Sequence, residues 1–94
     1  MLNARDKKIL RAQAQQYRSL FQIGKDGISD NLIATLDDSL RAHELVKLNL
    51  LKTAPLSTAE AAAMLAQATD SELLHSIGST FLLYRRSKKN LMGL

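Results

Sequence analysis

A chain of 94 residues with 46% hydrophobic content can bury one modest core, which excludes general disorder and leaves no room for two domains. It contains no cysteine, so disulfides and thiolate metal sites are ruled out and a reducing compartment fits. The net charge of +4 is unevenly spread: Arg5, Lys7, Lys8, Arg11 and Arg18 crowd the first segment, and Arg85, Arg86, Lys88 and Lys89 crowd the last.

Taken in chain order, Asn3 is a candidate N-cap and Asp6 suits a helix first turn. From Ala4 to about Gln16 the residues favour a helix, with Ile9, Leu10, Ala14 and Tyr17 as its narrow apolar stripe. Leu20-Phe21-Gln22-Ile23 reads as a short strand with Phe21 and Ile23 on one face. Gly24-Lys25-Asp26-Gly27 follows as a G-x-x-G turn with Lys25 at its tip, and Ser29 can cap the helix that begins there. Leu32, Ile33, Leu36 and Leu40 recur at helical spacing from about Asp30 to Ala42. The alternation Val46-Lys47-Leu48-Asn49-Leu50 predicts a second strand, apolar on one side.

Pro55 marks a break, and Ser57-Thr58-Ala59-Glu60 supplies a capping box. The alanine-rich helix after it is expected to bury Ala61, Met64, Leu65 and Ala68 and to end near Thr69. Leu73–Ile77 and Thr80–Arg85 predict a hairpin across Gly78-Ser79, with glycine placed for a type II′ turn. The predicted order is α-β-α-β-α-β-β, an α/β (α+β) domain with a four-stranded mixed sheet. Two strand–helix–strand units imply parallel pairing, and the hairpin adds an antiparallel pair. Residues 1–87 are expected to form this single compact domain, and 88–94 a basic, flexible tail.

Catalysis finds little support. His43 and His75 fall on different elements without matched ligand spacing, so no metal site is expected. Asp37 and Asp38 are helix neighbours pointing in different directions, and both are expected to be solvated. G-x-x-G lacks the third glycine of a dinucleotide fingerprint and the Gly-Lys-Ser/Thr of a P-loop. No cofactor is expected, and no segment is long and apolar enough to cross a bilayer. Met1–Lys8 also lacks the apolar core of a signal peptide, which predicts a cytoplasmic protein.

The charge pattern is more informative. The middle of the chain is net acidic, so if its ends lie together the fold presents one basic face, which attracts phosphate backbones whatever their sequence. Phe21 and Phe81 read as core; Tyr84 could stack on a base or turn its hydroxyl to solvent. So few aromatics argue against a stacking platform, whereas a G-x-x-G loop beside basic residues suits clamping of a nucleic-acid backbone, as in KH domains. The KH loop joins two helices, however, and here it joins a strand to a helix.

Three stretches bear a family resemblance: Phe21-Gln22-Ile23-Gly24-Lys25-Asp26-Gly27-Ile28-Ser29, His43-Glu44-Leu45-Val46-Lys47-Leu48, and Ile77-Gly78-Ser79-Thr80-Phe81-Leu82-Leu83-Tyr84-Arg85. In order and spacing they cover nearly the whole chain. The sequence resembles the CRM domain (chloroplast RNA splicing and ribosome maturation), specifically its small stand-alone bacterial YhbY-like members. The resemblance implies a fold similar to the C-terminal domain of bacterial translation initiation factor three. It also implies RNA binding through the loop and association with precursors of the large ribosomal subunit. The chain departs from the family pattern at Ala14-Gln15 and Ser19, where an alanine-histidine pair and a proline are frequent. It departs again at Arg86, which replaces a proline and adds positive charge.

Together these readings predict a non-catalytic, monomeric RNA-binding protein whose partner is ribosomal RNA. The expected contacts are Gly24, Lys25, Asp26 and Gly27 in the loop, with Lys8, Arg11, Arg85 and Arg86 around it. The competing expectation is a protein-interaction adaptor that sets the basic face against an acidic partner.

Overall fold

The computed structural model describes residues 4–14 and 21–86. Asn3, Gln15, Tyr17, Arg18, Ser19, Leu20 and the tail expected at 88–94 lie outside them. The elements run α1 (Ala4–Ala14), β1 (Phe21–Ile23), α2 (Asp30–His43), β2 (Leu45–Leu50), α3 (Thr58–Ala68), β3 (Glu72–Ile77) and β4 (Thr80–Tyr84). This is the predicted order of elements in an α+β domain. The four strands form one mixed sheet in the order β1-β2-β4-β3.

Only the first strand–helix–strand unit produces a parallel pair: β1 lies beside β2, with Phe21 opposite Leu48 and Ile23 opposite Leu50. The second was expected to do the same and does not. Its return strand β3 lies one place further out, because β4 folds back on β3 and occupies the position beside β2. The β3–β4 turn has Gly78 at φ +57 while Ser79 is not left-handed, which matches the expected type II′ turn in the sign of φ.

Both helix starts on the main core follow their sequence signals. The Ser29 hydroxyl accepts the Leu32 amide at 3.1 Å. At α3 the Ser57 hydroxyl accepts the Glu60 amide at 3.1 Å, while the Glu60 carboxylate accepts the Ser57 amide at 3.0 Å. The end of α3 is a Schellman motif: Asp70 is left-handed (φ +53) and the Ser71 amide reaches back to the Ala66 carbonyl at 2.9 Å.

Side chains alternate across the sheet and build two separate cores. On one face Leu36 and Leu40 of α2 and Ala61, Ala62 and Leu65 of α3 cover Ile23, Val46, Leu48, Phe81 and Leu83. Phe21 packs at the margin of this core, partly buried. Met64 and Ala68, expected inside, are exposed, Met64 at 52%. Alanines on every side of α3 give its apolar stripe no contrast, so the phase was set by packing, which chose Ala62 over Met64. On the other face Leu10 of α1 packs on Leu45, Leu74, Leu82 and Tyr84. A bulge between Leu73 and His75 frees Leu74 from the ladder and turns it into this second core.

Tyr84 belongs to that core at 4% exposure, so it neither stacks at the surface nor turns its hydroxyl to solvent. Among the described residues its hydroxyl has no hydrogen-bond partner.

Candidate functional site

The G-x-x-G segment is a closed β-turn. The Gly27 amide donates to the Gly24 carbonyl at 3.0 Å, and neither Lys25 nor Asp26 has a positive φ, which excludes a type II turn. The two glycines have different tasks. Gly27 sits at φ +64, and a Cβ there would come within 3.2 Å of Pro55 Cγ. Gly24 is not left-handed, and a Cβ on it would meet Leu51 and Thr53 only at ordinary contact distance, 3.6 and 3.8 Å. Among the described residues the amides of Lys25 and Asp26 meet no acceptor, and both side chains are exposed.

A second turn stands beside the first. The Leu51 amide donates to the Ile23 carbonyl at 2.8 Å, joining the chain after β2 to the end of β1. The Ala54 amide then closes onto the Leu51 carbonyl at 3.0 Å, leaving exposed Lys52 and Thr53 at its tip. Lys25 and Lys52 therefore crown neighbouring turns at the carboxyl ends of two parallel strands, the end at which open α/β sheets bind ligands. Sequence reasoning missed Lys52 because it counted the residue within a net-acidic middle. The signal available was topological: it lies in the second strand-to-helix loop. The hairpin tip borders the same end, where the Leu50 amide donates to the Ser79 carbonyl at 2.7 Å and the Ser79 hydroxyl to Asn49 Oδ1 at 3.0 Å.

The other expected contacts fall elsewhere. Lys8 and Arg11 are exposed on α1, where they flank a groove of about 600 Å³ over the sheet face that Leu10 packs on. Arg85 lies at the opposite end of β2, and its guanidinium turns inward. It donates to Asp37 Oδ1 at 2.6 Å, to the Thr69 carbonyl at 2.7 Å and to the Asp37 carbonyl at 2.9 Å. This arginine ties the middle of α2 to the end of α3, which gives it a structural task. Asp37, expected to be solvated, is its partner and also accepts from Arg41 at 2.8 Å. Arg85's hydrogen bond pulls the Asp37 carboxyl below its ordinary pKa. Partial desolvation opposes this shift, and the charges of Arg85 and Arg41 add to it.

Arg86 is exposed and shares a hollow of about 500 Å³ with Asp6, Asp70 and Glu72. The start of α1 and the end of β4 thus lie together, but carboxylates interleave with the cations there. Among the described residues no cluster of His, Asp or Glu could hold a metal ion, and no helix is long and apolar enough to cross a membrane.

The CRS1 / YhbY (CRM) domain model matches residues 2–85. The chain belongs to the CRM/YhbY family. Within the family, it is similar to a Bacillus subtilis protein named "Probable RNA-binding protein YqeI", with 36% identity over 96% of this chain and 94% of the relative. An archaeal CRM relative from Methanocaldococcus jannaschii, also named a probable RNA-binding protein, is 33% identical over 89% of this chain and 63% of its own length. In three dimensions the domain is similar to the solution structure of a hypothetical Staphylococcus aureus protein, a candidate RNA-binding protein. That comparison gives a TM-score of 0.81 at 41% identity, over 98% of this chain and 96% of the other.

Proposed function

We propose that this protein assists assembly of the large ribosomal subunit, binding ribosomal RNA of its precursor as a monomer in the cytoplasm. The paired turns carry this reading: two exposed lysines, Lys25 and Lys52, stand beside the amides of Lys25 and Asp26, which meet no acceptor among the described residues, at one end of the sheet. Amides and a lysine together form a concave donor surface suited to a phosphate. Asp26 takes part through its backbone, since its carboxylate repels phosphate, while Gly24 and Gly27 shape the approach. Lys8, Arg11 and Arg86 add long-range attraction, and Arg85 acts by holding the fold.

Sucrose-gradient sedimentation of lysate, with the protein followed by immunoblot, tests this reading. Wild type is expected to co-migrate with free or precursor large subunits, and Lys25→Glu to stay at the top. Loss of co-migration after nuclease treatment separates RNA from an acidic protein partner. Wild type remaining at the top in low salt would overturn the ribosomal role. With purified RNA, replacing Lys25 and Lys52 by Gln should reduce the slope of log affinity against log salt by about 1.4–1.8. An unchanged slope would remove both lysines from phosphate contact.

A further inference from the structure

The groove under α1 is a second surface, on the face of the sheet away from the main core. Leu10 covers only the part of that face built from Leu45, Leu74, Leu82 and Tyr84. Beyond it the register places Lys47, His75 and Ile77 on the same side as Leu82, and among the residues of α1 whose burial is described only Leu10 is buried. Lys8 and Arg11 of α1 form one wall, and exposed Ile77 supplies an apolar floor.

Two properties define what this groove can take. Among the described residues its charge is of one sign: Lys8, Arg11 and Lys47 line it, and no carboxylate does. Its floor is apolar, with Ile77 exposed at 67%, which is a large fraction for an isoleucine within a strand. The His75 imidazole and the Arg11 guanidinium add planar groups of the kind on which bases stack. The volume, about 600 Å³, lies within the range of sites for small molecules.

We propose that this groove receives an unpaired nucleotide of the bound RNA. The base lies on Ile77 against His75 or Arg11, and its flanking phosphates face Lys8. The inference rests on the RNA-binding reading above and adds to it a preference for single-stranded segments. A base inside a duplex keeps its faces stacked on its neighbours and cannot enter; an unpaired one can.

The test compares fluorescence-anisotropy titrations of a short oligouridylate and of a blunt, fully paired RNA stem. Variants are Ile77→Glu, Ile77→Ala and His75→Ala, with Met64→Ala on the far side as control and melting curves to establish folding. Ile77 is exposed enough for both of its substitutions to fold. Groove variants should weaken oligouridylate binding about tenfold and leave stem binding unchanged, the effect expected for loss of one stacked base. Lys25→Glu should weaken both. If the groove variants bind oligouridylate like wild type while Lys25→Glu does not, the groove inference falls and the loop reading stands. Equal loss on both RNAs also overturns it, since a general basic field would then account for the effect. Wild type binding neither RNA would overturn the RNA-binding reading and this inference together.

Discussion

The two ends of the sheet use basic residues in opposite ways. At the end of β1 and β2, Lys25 and Lys52 crown exposed turns beside amides that meet no acceptor among the described residues. At the other end Arg85 is surrounded by acceptors: the Asp37 carboxylate and the carbonyls of Asp37 and Thr69. All are plain positive charges in the sequence, yet Arg85 is neutralised by a residue 48 positions away. Its fixed, planar fork suits that internal task, whereas lysines on flexible stems suit a mobile polyanion. A positive charge that a partner can use is therefore one that the fold has left unmatched.

Breaking the inner end should have the largest effect. Arg85→Met keeps the aliphatic stem but removes the guanidinium donor of the Thr69 carbonyl and of Asp37 Oδ1, leaving Arg41 on Asp37 Oδ2. Its melting temperature should fall by roughly 10 °C, while RNA affinity of the folded protein stays the same. A variant with normal melting and weakened RNA binding would show that Arg85 faces RNA after all.

The outer end is sharpened by its two glycines. Gly27→Ala forces a left-handed residue against Pro55 and should cost about 1–2 kcal/mol in denaturant unfolding. Gly24→Ala places its Cβ at ordinary contact distance and should leave stability unchanged. Equal costs would mean that the turn does not depend on the conformation of Gly27.

Acid supplies the smallest effect. The folded-state pKa of Asp37 lies below its unfolded value, so its stabilisation is present above the unfolded pKa and is lost as pH falls through the folded one. Glu60 behaves alike, its pKa lowered by the hydrogen bonds from the Ser57 backbone and side chain. Thermal melts should show Asp37→Asn less stable than wild type near pH 7, with the difference closing below about pH 4. A constant difference across that range would mean that the carboxylate's charge is not what matters.

Much of the fold could be read locally. Ser29, Ser57 and Glu60 announced their helix starts, and Gly78-Ser79 its hairpin, because each signal is satisfied within a few residues of chain. The loop was legible for the same reason: Gly24 and Gly27 mark a turn wherever they fall after a strand. Met64 and Tyr84 were not legible. An alanine-rich helix has no preferred side until something packs on it, and a tyrosine in a strand suits either face of a sheet.

The sequence by itself determined the order of elements, the capped helices, the tight turn with Lys25 and the family, since these depend on local periodicity and short motifs. Only the tertiary structure decided that β4 enters between β2 and β3, that Arg85 is matched and that Lys52 stands beside Lys25. It also decided that Lys8, Arg11 and Lys47 line one groove on the sheet face that Leu10 packs on. These depend on contacts between residues far apart in the chain, where side-chain type says what could pair and only packing says what does.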